Sequence, residues 1–223
     1  MKHAIITIDG PAGSGKSTVA REVASRLGFT FLDTGALYRA AAIAVHEAGV
    51  DVRDDPACGA AVHQARIDLS GGRVSLNDRD VTEEIRSPRI SDLASTIAVH
   101  PSVRRELLGI QRSFSQRAPV VVEGRDTGSV VFPHADLKIY LDAAPAERAR
   151  RRHAEFATKG ADTAVGVVLT ELETRDRRDG SRSVSPLVIP EHAVVVDTTH
   201  LSFGEVVEKV LFLAREQIGR AHV

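Results

Sequence analysis

Cysteine, asparagine and lysine are scarce in this chain, and the first two scarcities each remove a class of function. Cys58 is the only cysteine among the 223 residues, so there is no intrachain disulfide and no cysteine-built metal cluster. The nine histidines are scattered, with no H-x-x-x-H spacing to set two on one helix face as a metal pair. Asn77 is the only asparagine and sits in a turn, so the N-K-x-D guanine signature of GTPases is missing. No apolar strand ends in a D-x-x-G switch, and the chain is small for a motor. No apolar run approaches transmembrane length, and MKHAIITIDG turns polar too soon for a signal peptide; the cytoplasm is the expected location. Lysine occurs only at positions 2, 16, 138, 159 and 209, so the basic residues are overwhelmingly arginine. With a net charge of −1 the chain is no polycation seeking a nucleic-acid polymer or an anionic membrane.

What is present is an ordinary globular composition, 43% hydrophobic and 26% charged, in a chain long enough to bury a full core as one domain. Residues 4–8 (AIITI) form a β-branched run ending in Asp-Gly, the pattern of a buried strand. A glycine-rich loop follows, then helical periodicity through Val19, Val23 and Leu27 until Gly28. Residues 29–32 read as a second strand and 36–47 as a second helix. Residues 66–82 break the alternation: short strands around Gly71-Gly72 and Asn77-Asp78 predict a small antiparallel element. A helical stretch over 89–117, interrupted by Pro101, precedes strands at 119–122 and 137–141 and a helix from about Ala146. The last strand is expected at 193–196. The final helix starts at Ser202, which has capping-box spacing with Glu205; Val206, Val207, Val210, Leu211, Ala214 and Ile218 form its buried face. Strands alternating with helices imply an α/β fold with a central parallel sheet, here of about five strands.

Between the first strand and the first helix, Gly10-Pro11-Ala12-Gly13-Ser14-Gly15-Lys16-Ser17 satisfies G-x-x-x-x-G-K-[ST] in full. The chemistry needs that spacing. Glycines let consecutive backbone N–H groups turn inward on phosphates, and the following helix adds its positive N-terminal end. Lys16 carries a charge to the β- and γ-phosphates, and the Ser17 hydroxyl can ligate Mg²⁺. Residues Gly10 to Ser17, with Thr18 next in line, are therefore the expected ATP-binding set.

Two kinds of P-loop protein compete: a switch or motor that hydrolyses nucleotide, and a kinase with a small acceptor. The absences above count against the first, and arginine favours the second. Residues 148–182 hold eight arginines. On a helix, Arg148, Arg151 and Arg152 share one face, either as a solvated face paired with Glu147 and Glu155 or as part of a cationic lid. A kinase needs such a cover, because phosphoryl transfer is mostly positioning and charge neutralisation, with water kept out.

Four stretches in order, IDGPAGSGKST (8–18), LDTGALYR (32–39), EGRDTGSVVFP (123–133) and RDRRDGSR (175–182), resemble the signatures of bacterial cytidylate kinases. The resemblance covers nearly the whole chain. It implies one P-loop kinase domain over residues 1–223, with a monophosphate-binding insert at 61–95 and an Arg-rich helical lid at 148–182. It implies ATP-dependent phosphorylation of CMP and dCMP by a monomeric enzyme of pyrimidine metabolism that uses Mg²⁺. By the same resemblance Arg39 and Arg125 would grip the CMP phosphate, and Thr34 would belong to the CMP site. Ser95, Arg104 and Asp126 would read the cytosine edge. Arg175, Asp179 and Arg182 would hold ribose and phosphate, and Arg151 would reach the transferring phosphoryl group from the lid. The catalytic set would be Lys16, Arg125, Arg151 and Arg182. Asp9 and Asp33 stand at strand ends, either orienting Mg²⁺-bound water or the phosphate loop, or capping a turn or helix. Departures are mild: Glu123 stands where many relatives have Asp, Thr34 where many have Ser, and Ser129 where Thr is common. The competing readings are a P-loop kinase for UMP, AMP or a metabolite hydroxyl, and a nucleotide-binding module without activity. A hydroxyl acceptor would call for Asp33 or Asp126 as base.

Overall fold

The computed structural model describes residues 3–158, 163–182 and 184–222, the side chains of 220–222 excepted. Residues 159–162 of the expected lid lie outside the described residues. In chain order the first elements are strand β1 (Ile5–Asp9), helix α1 (Lys16–Leu27), strand β2 (Thr30–Asp33) and helix α2 (Thr34–Glu47). Helix α3 (Asp55–Gln64) precedes three short strands, β3 (Ile67–Ser70), β4 (Arg73–Leu76) and β5 (Arg79–Asp80). Helices α4 (Pro88–Ile97) and α5 (Pro101–Arg117) lead to strands β6 (Val120–Gly124) and β7 (Leu137–Asp142). Helices α6 (Pro145–Thr158) and α7 (Val165–Gly180), strand β8 (Val194–Asp197) and helix α8 (Phe203–His222) complete the chain. It divides into two compact units, Met1–Phe31 with Arg117–Val223, and Leu32–Gln116.

The first unit is built on a five-stranded sheet in the order β2-β6-β1-β7-β8. Strand β1 runs parallel to β6 on one side and to β7 on the other, with Ile6 opposite both Val121 and Leu137; β7 and β8 are parallel as well. Every residue of β1 is buried, which is why it reads as a continuous apolar run instead of an alternating one. Ile6, Ile8, Ile139 and Leu141 of the sheet pack with Val19 and Val23 of α1 and with Val207, Val210 and Leu211 of α8. Each such side chain contributes about 1.5–3 kcal/mol by leaving water. The expected face of α8 is buried in full, and its first turn has the capping box: Ser202 Oγ accepts from Glu205 N–H, and Glu205 accepts from Ser202 N–H at 2.8 Å.

Register brings Asp9, Gly124 and Tyr140 side by side. The loops after β1 and β6 therefore leave the sheet together at the carboxyl ends of their strands, where open α/β sheets bind ligands.

The second unit packs α2 against α3, α4 and the antiparallel sheet β3-β4-β5. Its turns are those expected: Gly71 and Gly72 have φ of 57° and 77°, and Asn77 and Asp78 have 50° and 67°, the left-handed pair a tight hairpin demands. Helix α3 is the element that periodicity missed. Its start was nevertheless marked, because the Asp54 carboxylate accepts from Ala57 N–H at 2.9 Å and Pro56 occupies the first turn.

Candidate functional site

The phosphate loop runs from Gly10 to Ser17 between β1 and α1. A Cβ on Gly10 would lie 2.1 Å from the Leu141 carbonyl oxygen, so no side chain fits where the loop passes β7. Gly13 has φ of 77° and sits against the backbone of Arg148, whose oxygen would lie 3.1 Å from a Cβ. Lys16 is buried, and its ammonium donates to Pro11 O at 3.1 Å. Burial, with Arg125 adding repulsion, pushes the Lys16 amine down to about 7, while Glu123 works in the opposite direction. Ser14 is 1% exposed, and among the described residues its Oγ has no hydrogen-bond partner.

Ser17 Oγ donates to Glu123 Oε1 at 2.9 Å. Glu123 is thus a residue whose role the sequence did not disclose: its bond takes the Ser17 proton and leaves the hydroxyl lone pairs for a ligand. Thr18 Oγ1 is turned to its own helix, donating to Gly15 O at 2.8 Å.

On the loop after β6, Arg125 donates from Nε to Asp179 at 2.8 Å and from Nη1 to Gly10 O at 2.6 Å. Asp179, 1% exposed on α7, also receives Arg182. Burial alone would raise the Asp179 carboxyl; Arg125, Arg182 and Arg175 overcome it and hold the group below its ordinary range. Three of the expected CMP-site residues therefore form one ionic cluster that touches the phosphate loop at Gly10. Asp126 is buried beside them and adds repulsion at Asp9.

Asp9 itself is a cap. Its carboxylate accepts from Thr127 N–H and Oγ1, both at 2.8 Å, and from Gly128 N–H at 2.7 Å. Full burial raises its pKa to about 6 against those bonds. Asp33 is a cap too, accepting from Ala36 N–H at the start of α2 at 2.8 Å.

The arginines of α6 do not act as one face. Arg148 is 6% exposed and donates to Ala12 O at 2.9 Å, to Ala143 O at 3.0 Å and to Asp176. Arg151 donates to Glu147 at 2.9 Å and to Thr198 Oγ1 and O at 2.9 and 2.6 Å. Arg152 pairs with Glu155 at 2.6 Å and lies over the Phe156 ring. Arg150 completes the surface pairing at Glu147, whose carboxyl its bonds draw down to about 2.

In the second unit, Asp33 holds Arg39 at 3.2 Å, and Thr34 is buried at the first position of α2. Ser95 is buried on α4. Arg104, buried on α5, donates to Ala98 O at 3.1 Å and stands 5.6 Å from the centre of the Tyr38 ring. Tyr38 was in view within LDTGALYR, but nothing local marked it as Arg104's platform.

Known proteins similar to this chain identify its family. The sequence profile of the cytidylate kinase family matches residues 6–216. A cytidylate kinase of Solibacter usitatus is 47% identical over 219 residues, 97% of this chain and 94% of that protein. One of Caldanaerobacter subterraneus is 46% identical over 205 residues, 92% of each. The crystal structure of TT1252 from Thermus thermophilus shares the fold, with a TM-score of 0.51 and 22% identity over 98% of this chain and 99% of that one. The phosphate loop, the arginine cluster on Asp179 and the whole-length likeness lead to one conclusion: the chain belongs to the cytidylate kinase family.

Proposed function

We propose that the chain transfers the γ-phosphoryl group of ATP to CMP, and to dCMP, giving the nucleoside diphosphate. The observation that carries this reading is the ionic cluster of Arg125, Asp179 and Arg182 joined to Gly10 at the edge of a complete phosphate loop. A kinase must hold an anionic acceptor beside its donor site, and cations held there suit that task. The acceptor oxygen is already anionic at neutral pH, so no general base is required, and both strand-end aspartates are occupied as caps. Catalysis then consists of holding donor and acceptor in line while Lys16, Arg125, Arg151 and Arg182 absorb developing charge.

The oxygen donors Ser17 Oγ and Glu123, bonded to one another, suit a hard dication such as Mg²⁺, with Ser17 the residue that would hold it. When bound, Mg²⁺ would neutralise the donor's phosphate charge. Arg39, Thr34 and Arg175 would bind the acceptor's phosphate and sugar, and Ser95, Arg104 and Asp126 its cytosine. Among the described residues no helix is long and apolar enough to cross a membrane. We assign the activity to the cytoplasm and to a monomer acting on free nucleotides. A coupled assay of ADP release over CMP, dCMP, UMP and AMP tests the reading. Turnover of CMP and dCMP well above the others is expected; preference for another acceptor, or none, refutes it.

A further inference from the structure

Helices α6 and α7 hold Ala12 of the phosphate loop from three sides. Its N–H donates to Asp176 Oδ1 at 3.0 Å, on α7. Its carbonyl accepts from Arg148 Nη1 at 2.9 Å, on α6. Its methyl group is buried in a small apolar cluster with Ala149 of α6 and Val168 and Leu172 of α7. Arg148 and Asp176 are bonded to each other as well, so the brace is closed on itself. The next residue, Gly13, lies against the Arg148 backbone. The Ala12 N–H, expected in the phosphate cradle, already has its acceptor.

We infer that Arg148 and Asp176 are positioning residues for the phosphate donor, acting on ATP through the Ala12 peptide. A phosphate cradle works only if its free N–H groups point at the phosphates before the ligand arrives, and a glycine-rich loop has many other conformations. Pinning Ala12 at N–H, C=O and side chain removes that freedom immediately upstream of Gly13. It also fixes the basal part of the α6–α7 pair on the loop.

The inference rests on the ATP-binding reading of the loop, and the test separates the two. Binding of a non-hydrolysable ATP analogue is titrated calorimetrically, and KM values for ATP and CMP are measured, for wild type, Asp176→Ala, Asp176→Asn and Arg148→Lys. Asp176→Ala should weaken the analogue and raise the ATP KM by roughly tenfold, the weight of one charge-assisted hydrogen bond. Its CMP KM should stay within about twofold of wild type. Asp176→Asn keeps an oxygen for the Ala12 N–H and should recover part of the loss; should the alanine variant not fold, it and Arg148→Lys carry the test. Exchange of the Ala12 amide proton should quicken in the same order. Unchanged donor affinity in folded variants, or an equal rise in both KM values, overturns the inference. Wild type that fails to bind the analogue overturns the ATP reading itself.

Discussion

Replacing Lys16 by Met should cripple catalysis and stabilise the fold at the same time. Lys16 is buried, with Arg125 and Arg175 repelling its charge, and its amine falls from an ordinary 10.5 to about 7. The unfolded chain therefore binds more protons between those values, and wild-type stability rises as the pH climbs through that window. Below pH 7 the full cost is present. A difference of about 3.5 units at about 1.4 kcal/mol each gives an upper bound of about 5 kcal/mol. Methionine, of similar length and uncharged, escapes that cost and loses only the bond to Pro11 O, worth about 1 kcal/mol. Scanning calorimetry should then show Lys16→Met melting higher than wild type at pH 6, with the gain shrinking toward pH 10. Turnover should move the other way. The charge matters most as electrons shift toward the leaving oxygen, so kcat for ADP release at saturating CMP should drop by about 10²–10³. A folded variant with kcat within a few-fold of wild type, or one that melts lower at pH 6, refutes the reasoning.

Arg182→Ala should raise the KM for CMP by about tenfold or more, because it removes a cation that Asp179 holds ready in the ground state. Arg151→Ala should instead lower kcat with a smaller change in KM, since Arg151 must first leave Glu147 and Thr198; steady-state kinetics showing both altered only in the KM for ATP would sink the assignment. Asp126→Ala should cut kcat/KM for CMP by about 2–4 kcal/mol and leave UMP nearly untouched, and Ser95→Ala should give a milder form of the same shift. Equal losses on CMP and UMP would mean that Asp126 serves the phosphates or the fold. Asp9, raised to about 6 by burial, contributes stability below pH 3.8 that is lost as the pH rises through 6, about 3 kcal/mol in all. Asp9→Asn should abolish that slope in denaturant titrations at pH 4 to 7, and an unchanged slope would show that Asp9 is not its source.

Features whose causes are local were legible in the sequence. The phosphate loop is one: Gly10, Gly13 and Gly15 carry the backbone geometry, and Lys16 follows at a set spacing from them. The capping box at Ser202, the apolar stripe of α8 and the Gly-Gly and Asn-Asp turns are others, since each depends on residues a few positions apart. Even α3, overlooked by periodicity, carried its signal locally in Asp54 and Pro56. Tertiary structure alone decided how the polar groups were shared out. Helical spacing puts Arg148, Arg151 and Arg152 on one face but does not say what each meets: the phosphate loop, Thr198 and Phe156 respectively. Ser17 finds Glu123 across 106 residues, and Ala12 finds Asp176 across 164. Asp9 could have been a cap or a ligand-orienting group until the order β6-β1-β7 set the Thr127–Gly128 amides over it. Such pairings have no period and no fixed spacing. They come from strand order and helix packing, and burial then makes leaving a polar group unpaired too costly.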